Sequence, residues 1–488
     1  MSGIKSFGAY IPFHRLSRAE IARAWSSTAR QGERSVASYD EDSITMAVAA
    51  AIDCLKGIDP KSVDGLLFAT TTPPYVEKLG AAIIATALDM RRDIQTMDVT
   101  GTLRAGTTAM FSALNAVDSG SAKNMLVAIA DCRLGAPAGD FEQAFGDGAA
   151  AFLIGEENIV LNIMGSYHIS DDFSGVWRAY GDTFVRSWED RMALDKGYSS
   201  QLVETIRFLM EKYDLNEPDI ARFVYDAPVD ARRHSQIART LKLNSEKIQN
   251  PLLNTVGNTG TALAPMMLAA YLEEANPGDN IVFGSYGNGA DAFWCQVTAE
   301  IETIGHRCGI GDHLNSKIEL KNYEKYLRWR GLVPLEPPRR PEREPISISA
   351  LYRERKYILG LYGFKCKSCG TPQYVPPSTT AVGDQLPARV CVVCQAKDQF
   401  EEYRFADKRA KVFSYTHDSL AASLDPPSTT AVVDFEGGGR GAFDMSDRDP
   451  DKVEVGMPVE MTFRKLYSDR GIHNYFWKVR PVRCQKGI

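Results

Sequence analysis

Residues 146–153 read Gly146-Asp147-Gly148-Ala149-Ala150-Ala151-Phe152-Leu153, and residues 287–294 repeat the pattern as Gly287-Asn288-Gly289-Ala290-Asp291-Ala292-Phe293-Trp294. A second matching pair, residues 106–110 and 260–264, opens on Gly-Thr in both places and continues into an alanine-containing apolar run. The period of roughly 140 residues is far longer than the ~20–50 residues of a solenoid repeat. The repeat therefore predicts two fused copies of one domain.

Apolar segments within each copy indicate the fold class. They lie at residues 65–69, 124–130 and 149–154 in the first copy and at residues 223–225 and 280–284 in the second. These segments are apolar throughout rather than alternating, which is typical of strands covered by helices on both faces. The sequence predicts an α/β fold.

Polar residues mark where the first helices begin. Residues 4–11 predict the opening strand, and Ser17 followed by Glu20 predicts a capping box. The acidic run Asp40-Glu41-Asp42-Ser43 precedes the apolar residues 44–55. Negative charge is favourable at a helix N-terminus, so this run predicts a helix start.

Bulk composition excludes some classes of protein. The 488 residues suit about three domains, and a formal net charge of −6 argues against a general nucleic-acid partner. No apolar run reaches the ~18 residues of a membrane helix, so we expect no membrane partner and a cytoplasmic location. Nine cysteines in so long a chain suit reduced thiols and a metal better than a disulfide framework.

The C-terminal third contains paired cysteines. A proline-rich stretch at residues 334–345 predicts a linker, which we place at 331–355, and Cys366-x-x-Cys369 and Cys391-x-x-Cys394 follow it. Four thiolates at this spacing predict a structural Zn²⁺ in a zinc ribbon at 356–400. Unmetallated turns or a redox C-x-x-C are the alternatives.

Short β segments follow the cysteines. Residues 411–415, 430–435, 459–463 and 475–479 predict strands of a small OB-type barrel over 401–488. Exposed aromatic residues of such a barrel could bind single-stranded nucleic acid. Tyr475 and Trp477 alternate as core residues do, and the flanking sequence is not consistently basic, so we expect no nucleic acid.

Residues 1 to about 330 resemble the thiolase superfamily, and within it HMG-CoA synthase and 3-ketoacyl-acyl carrier protein synthase III. The resemblance rests on the opening strand and residues 39–42, 98–107, 146–154, 257–259 and 284–293. Residues from about 337 resemble the zinc-ribbon plus OB-fold domain that accompanies many thiolase-like enzymes, here fused. The resemblance implies a duplicated α/β/α/β/α fold with halves 1–160 and 161–330, a homodimer, a coenzyme A thioester substrate, and a thiolase or other acyl-CoA enzyme as partner.

The superfamily's catalytic residues are altered in this chain. Aligning its Asp-x-x-Asn-Ala-Cys-x-Gly-Gly-Thr motif on residues 98–107 puts Leu103 at the nucleophile. The family's histidine falls on Asp226 and the glutamate of HMG-CoA synthase falls near Thr71. Asn258 matches the asparagine that hydrogen-bonds a thioester oxygen.

Without a thiolate, the remaining groups favour aldol or retro-aldol chemistry on a β-hydroxyacyl-CoA. An enclosed Asp226 should have a raised pKa and could move a proton, while Asn258 could stabilise an enolate. The other candidates are Tyr75, Tyr225 and Tyr286 as acids, and Lys78, Arg104, Arg133 and Gly257 as coenzyme A contacts. The tyrosines could instead be packed core rings, Asp226 a cap or ion-pair partner, and the cations solvated charges.

Two further hypotheses concern the same pocket. Cys132 follows a strand in the first half and could replace the missing nucleophile, which would make the protein an acyltransferase or synthase. A buried cysteine is more often a small apolar residue. The third hypothesis is a non-catalytic scaffold that binds coenzyme A.

Overall fold

The computed structural model of the protein describes residues 2–173, 175–336, 347–376 and 389–484. Residues 337–346 of the predicted linker therefore lie outside the described residues. The elements of the first half are β1 (Gly3–Tyr10), β2 (His14–Ser17), α1 (Arg18–Trp25), β3 (Glu33–Val36), α2 (Ser43–Cys54), β4 (Gly65–Ala69), α3 (Gly80–Ala87), β5 (Gln95–Val99), α4 (Ala105–Asp118), β6 (Asn124–Cys132), α5 (Asp140–Ala144) and β7 (Asp147–Gly155).

The second half adds helices and strands of the same kinds. They are β8 (Leu161–Ser170), β9 (Val176–Trp177), β10 (Arg186–Ser187), α6 (Asp190–Met192), α7 (Ser200–Lys212), β11 (Arg222–Tyr225), α8 (Ala231–Leu241), α9 (Leu263–Leu272), β12 (Asn280–Tyr286), β13 (Gly289–Val297), α10 (Gly309–Asn315), β14 (Ile318–Glu319) and α11 (Tyr323–Trp329).

The C-terminal third is mostly β-structure. It comprises α12 (Ile348–Leu359), β15 (Tyr362–Cys366), β16 (Pro372–Gln373), β17 (Phe400–Arg404), β18 (Arg409–Asp418), β19 (Ser428–Phe435), β20 (Arg440–Asp444), β21 (Pro458–Asp469) and β22 (Ile472–Pro481). Helix α12 crosses the predicted boundary between linker and ribbon at residue 355.

Sheet topology confirms the duplication. The order is β11-β12-β13-β8-β1-β7-β6-β4-β5. On one side, β7, β6 and β4 follow β1 in turn, and on the other side β13, β12 and β11 follow β8 in the same way. The pairing senses also match, being antiparallel, antiparallel and parallel on each side. The repeated stretches of sequence form β7 and β13, which occupy equivalent positions in the two halves.

Helices fill three layers around the two half-sheets. Helices α4 and α9 share one core with apolar residues from both halves, α2 and α3 cover the first half, and α7 and α8 cover the second. The second repeated pair meets in this central layer, where a Cβ on Gly106 would lie 3.1 Å from the carbonyl oxygen of Thr261. The predicted α/β/α/β/α fold is thereby confirmed.

A buried ionic cluster fastens the five-stranded β18–β22 barrel to the first half. Arg464 of β21 lies 3.3 Å from Asp40 Oδ1 and 2.9 Å from Glu41 Oε1, and Lys478 lies 2.8 Å from Asp40 Oδ2. Burial alone would raise the pKa of Asp40, but Lys478 and Arg464 hold it well below its ordinary value. Only Asp42 of the acidic run caps α2. The other two carboxylates bind the barrel.

Three other expectations can be compared with the structure. Ser17 caps α1, but Glu20 pairs with Arg23 instead of completing the capping box. Cys308 and Cys484 form a disulfide that ties α10 to the chain end, so the expectation of reduced thiols is wrong for this pair. Within the described ranges, no helix is long and apolar enough to cross a membrane.

Candidate active site

A cavity of about 420 Å³ lies between the two halves. A smaller cavity of about 140 Å³ adjoins it. We call them the large lobe and the small lobe. Both are lined by Leu103, Arg133, Gly175, Val176 and Tyr286, so these residues form the junction between them.

Leu103 lies at the head of the central helix α4. The neighbouring Thr102 Oγ1 donates to the Gly287 carbonyl at 2.8 Å, which fixes this turn against the second half. Arg104, the N-cap residue, gives α4 no side-chain cap. The positive end of the helix dipole therefore faces the junction, where a thiolate would be stabilised, but the side chain there is leucine.

Asp226 follows β11 and lines the large lobe. Burial raises its pKa to about 7, although the backbone N–H groups of Ala227 and Tyr286 and the nearby Arg133 act in the opposite direction. Asp226 Oδ1 accepts from the Ala227 N–H at 2.9 Å. A carboxylate that is half-ionised near neutral pH can accept and return a proton.

Asn258 lines the same lobe and is linked to Asp226 through Ala227. Its Nδ2 donates to the Ala227 carbonyl at 2.8 Å, and its Oδ1 accepts from the Gly260 N–H at 2.9 Å. The second Nδ2 proton can meet a substrate oxygen. Gly257 has φ +97°, and a Cβ there would lie 2.8 Å from the Phe145 carbonyl oxygen. Gly257 thus permits the close backbone approach that places Asn258.

The three tyrosines lie in different surroundings. Tyr286 lines both lobes, and burial with Asp171 and Asp226 raises its pKa to about 12, so it keeps its proton. Tyr225 is buried behind the cavity and its hydroxyl donates to the His234 carbonyl. Tyr75 packs against the barrel, where its hydroxyl accepts from the His473 N–H. Of these three predicted tyrosines, the structure therefore brings only Tyr286 to the lobes.

The three cationic side chains predicted to contact coenzyme A lie in different parts of the structure. Arg104 pairs with Asp291 at 2.8 Å and fastens α4 to β13, and Lys78 lies in a groove between α3 and the barrel. Arg133 is buried at the lobe junction, with its Cζ 4.3 Å from the Phe145 ring centroid. None of the three lies at the rim of the large lobe, where a solvated phosphate would be met.

Asp131 is a central residue that sequence reasoning missed. Its carboxylate accepts from Thr70 Oγ1, from the N–H and Oγ1 of Thr71, from Thr72 Oγ1 and from the Thr261 N–H, at 2.7–3.0 Å. It thus joins the turn that carries Thr71 to the second half. An Asp two residues before Arg133, at the end of an apolar strand, was the available signal.

Cys132 does not line either lobe. Its N–H donates to Thr72 Oγ1 at 3.0 Å, and burial raises the pKa of its thiol to about 12, although Arg330 opposes this shift. A thiol with this pKa is protonated at neutral pH and is a poor nucleophile. Among the described residues, the lining of the two lobes contains no cysteine.

Two rim arginines were also missed. Arg30 and the exposed Arg232 line the outer part of the large lobe. Arg30 Nη1 donates to the Val229 carbonyl at 2.9 Å. Both could meet an anionic group of a long ligand, and no sequence motif pointed to either.

Sequence relatives cover about two thirds of the chain. The hydroxymethylglutaryl-CoA synthase of Methanocaldococcus jannaschii is 31% identical over 347 residues, which is 69% of this chain and 100% of that protein. The hydroxymethylglutaryl-CoA synthase of Methanopyrus kandleri is 32% identical over 341 residues, 67% of this chain and 97% of that protein.

The chain belongs to the hydroxymethylglutaryl-CoA synthase family.

Two domain models match parts of the chain, and solved structures share the fold of about two thirds of it. Residues 210–297 match the C-terminal model of 3-oxoacyl-[acyl-carrier-protein] synthase III, and residues 403–464 match the C-terminal OB-fold domain of ChsH2. An HMG-CoA synthase complexed with CoA superposes with a TM-score of 0.60 at 20% identity, covering 67% of this chain and 89% of that chain. The 3-oxoacyl-[acyl-carrier-protein] synthase III of Aquifex aeolicus gives 0.54 at 22%, covering 61% and 100%.

This member of the hydroxymethylglutaryl-CoA synthase family also carries a four-cysteine cluster. The sulfurs of Cys366, Cys369, Cys391 and Cys394 all lie within 4.8 Å of one another. Cys366 and Cys394 are 3.7 Å apart, and Cys369 and Cys391 are 3.5 Å apart. Zn–S bonds of about 2.3 Å in a tetrahedron require S···S distances of about 3.8 Å. The donor set fits Zn²⁺ and leaves it no open position, as in a structural site.

Proposed function

We propose that the protein makes or breaks a carbon–carbon bond in a β-hydroxyacyl-CoA by aldol chemistry, without a cysteine acyl-enzyme. Membership of the hydroxymethylglutaryl-CoA synthase family supports an enzyme that acts on an acyl-CoA at a carbon–carbon bond. The observation that carries the finer proposal is Leu103 at the head of α4, in a cavity that holds Asp226. The Leu103 side chain cannot carry an acyl group, whereas the Asp226 carboxylate can still transfer a proton.

The retro-aldol step follows from the two polar side chains. The Asp226 carboxylate takes the proton of the β-hydroxyl, the Cα–Cβ bond breaks, and the β-carbon becomes a carbonyl. The bonding electrons move to the thioester as an enolate, whose oxygen accepts from Asn258 Nδ2. The protonated Asp226 then returns its proton to Cα. The condensation direction runs through the same groups in reverse.

We propose that the large lobe binds coenzyme A. The pantetheine chain would enter past the rim, and the diphosphate would meet Arg30 and Arg232 there. The apolar lining residues Phe141, Phe145 and Val229 suit the uncharged chain. The CoA complex of the structural neighbour supports this ligand.

A synthase is the second candidate, because the relatives carry that name. It would need an acyl adduct on a thiol, and Cys132 is the nearest candidate by sequence. The two functions therefore differ in one measurable species. Intact-protein mass spectrometry after incubation with short acyl-CoAs detects an adduct if it forms.

The decisive experiment follows cleavage of a panel of β-hydroxyacyl-CoAs by mass spectrometry of the thioester and carbonyl products. We expect turnover without a protein adduct, and its loss in Asp226→Asn with coenzyme A binding retained. Asp214→Asn is the control, because this exposed turn residue has φ 52° and asparagine adopts that conformation readily. A thiol-dependent adduct would favour the synthase, and unchanged turnover of Asp226→Asn would contradict the base assignment.

A further inference from the structure

A second group of metal-binding side chains lies outside the proposed active site, around the Cys308–Cys484 disulfide. Cys308 is the N-cap residue of α10, and Cys484 lies shortly after β22. One ligand atom from each of Cys308, Asp312 and Cys484 lies within 4.8 Å of the others. None of these three residues lines either lobe. The chemistry proposed above therefore makes no use of them.

His313 directs a ring nitrogen toward the same group. Its ring is buried, with Nδ1 against the Gly309 carbonyl and Nε2 3.5 Å from Cys308 Sγ. Because a carbonyl oxygen only accepts, the proton of the neutral ring belongs on Nδ1, and Nε2 presents a lone pair. Metal-binding histidines have this arrangement, in which one nitrogen donates to a backbone carbonyl and the other binds the metal.

The Asp312 carboxylate has an unsatisfied oxygen at this place. Its Oδ2 is buried and accepts no hydrogen bond from any residue that the structure describes. His306 Nε2 lies 3.4 Å from Oδ2, within reach of an ion pair but without hydrogen-bond geometry. A buried oxygen without a donor is costly unless another group compensates it. A bound cation would do so.

The backbone on both sides of the group is held in place. Asp53 Oδ1, from α2, accepts from the Cys308 N–H at 2.7 Å. Arg483 Nη2 donates to the Ser316 carbonyl at 2.9 Å, which fixes the residue next to Cys484. The ligand atoms are therefore brought together by the packing of the chain end on α10, in addition to the covalent bond between the sulfurs.

We propose that Cys308, Asp312, His313 and Cys484 form a second Zn²⁺ site when the disulfide is reduced. Tetrahedral Zn²⁺ with Zn–S bonds of about 2.3 Å and Zn–N bonds of about 2.0 Å requires an S···N distance of about 3.5 Å. The distance between Cys308 Sγ and His313 Nε2 has this value. Four protein ligands leave the ion no open position, so its role would be structural. The inference is independent of the proposed function.

The disulfide and the metal site exclude each other. A dithiol reductant supplies two electrons and two protons, so that Cys308 and Cys484 become thiols while the reductant becomes a disulfide. Zn²⁺ then displaces the two thiol protons, which pass to the solvent. The sulfurs must separate to about 3.8 Å on one zinc. With the two Cα atoms 5.6 Å apart, rotation of the side chains can supply this separation.

The zinc ribbon indicates the conditions in which the reduced form would occur. Its four cysteines bind a metal only as thiolates, so the chain must be loaded where thiols stay reduced. Cys308 and Cys484 are only partly buried, and a reductant can reach them. Under such conditions the second site would keep the chain end on α10 after the disulfide is broken.

The test measures zinc per chain of the full-length protein by inductively coupled plasma mass spectrometry. One sample keeps the disulfide, as verified by peptide mass spectrometry, and the other is reduced with dithiothreitol and desalted without oxygen. Both are then incubated with Zn²⁺ and desalted again. We expect about two zinc ions per reduced chain and about one per disulfide-bonded chain, where only the ribbon is filled. About one zinc ion in both samples would overturn the inference.

Variants locate the second ion. Reduced Cys484→Ser should hold about one zinc ion, and its filled ribbon would show that the protein is folded. Reduced Cys132→Ser is the control and should hold about two. Asp312→Asn and His313→Gln keep both thiols and should bind the second ion at least about tenfold more weakly in a chelator titration, since even outer partners of metal ligands contribute about 10–100-fold. Two ions in Cys484→Ser, or unchanged affinity in both other variants, would overturn the assignment.

Discussion

Asp226 is a carboxylate that the fold keeps from water, and this gives the proposed reaction a pH dependence. Burial raises its pKa to about 7, and only the ionised form accepts the proton of a β-hydroxyl. We expect kcat/KM for retro-aldol cleavage to rise with pH between about 6 and 8 and then to level off. The measurement is the initial rate at limiting substrate from pH 5.5 to 9. A profile that is flat across this range would contradict the role of Asp226.

Ionisation of Asp226 should destabilise the folded state. Because the folded pKa of Asp226 lies above its ordinary value of 3.8, the folded state loses stability as the pH rises from about 4 to 7. The cost of the ionised form is on the order of 4 kcal/mol at most. Asp226→Asn is therefore expected to raise Tm at pH 8 and to do so less at pH 5. Thermal denaturation at both pH values checks this, and a lower Tm at pH 8 would contradict it.

The residues that sequence reasoning found and missed differ in what determines them. Leu103 and Asp226 were located by aligning the superfamily's motifs, each of which lies in one short stretch of the chain. Tyr75 was misplaced because its partner His473 comes from the barrel. Arg133 was identified, but its burial at a lobe junction depends on packing between the halves. Side-chain partners that are distant in sequence leave no local pattern.

Among the elements, the three-stranded sheet of β15, β16 and β17 is expected to depend on its four cysteines. A sheet this short buries too little apolar surface to be stable alone, so the metal should supply folding energy. We expect Cys366→Ser to lose bound zinc, to expose the ribbon to proteases and to leave the first half folded. Zinc per protein by mass spectrometry and limited proteolysis are the measurements. Cys132→Ser is the control and should keep its zinc; wild-type zinc content in Cys366→Ser would refute the metal site.

Predicted and observed elements agree best where a buried strand is continuous. Residues 65–69 coincide with β4, and residues 280–284 lie within β12. The acidic run at residues 40–43 was interpreted less completely. Its last carboxylate caps α2 as predicted, while Asp40 and Glu41 contact Arg464. A helix cap can be predicted from residues adjacent in sequence, whereas the docking of a second domain cannot.

At the scale of the whole molecule, the barrel is fixed to the first half by buried charge. Arg464 faces Asp40, Glu41 and Asp447. Its removal leaves Glu41 without this cation, while Asp40 keeps only Lys478 and Asp447 only Arg480. Arg464→Met should cost about 3–5 kcal/mol of unfolding free energy or detach the barrel. Arg440→Met is the matched control, since Arg440 pairs with Asp434 on the exposed barrel surface, where such a pair contributes about 0–1 kcal/mol. Denaturant unfolding of both variants measures the difference, and equal losses would contradict the docking role.

The outer edge of the nine-stranded sheet bears on the predicted homodimer. β5 is the terminal strand, its Met97 is 53% exposed, and the adjacent helix α4 exposes Phe111. An edge strand with exposed apolar residues pairs readily with another strand, so we expect β5 to meet its copy in a second chain. Met97→Lys should then shift the protein toward monomer, because the pairing would bring two buried lysines together. Sedimentation velocity measures the shift. Exposed Ile472 of the barrel offers the control Ile472→Lys, and a dimer that persists in Met97→Lys would place the contact elsewhere.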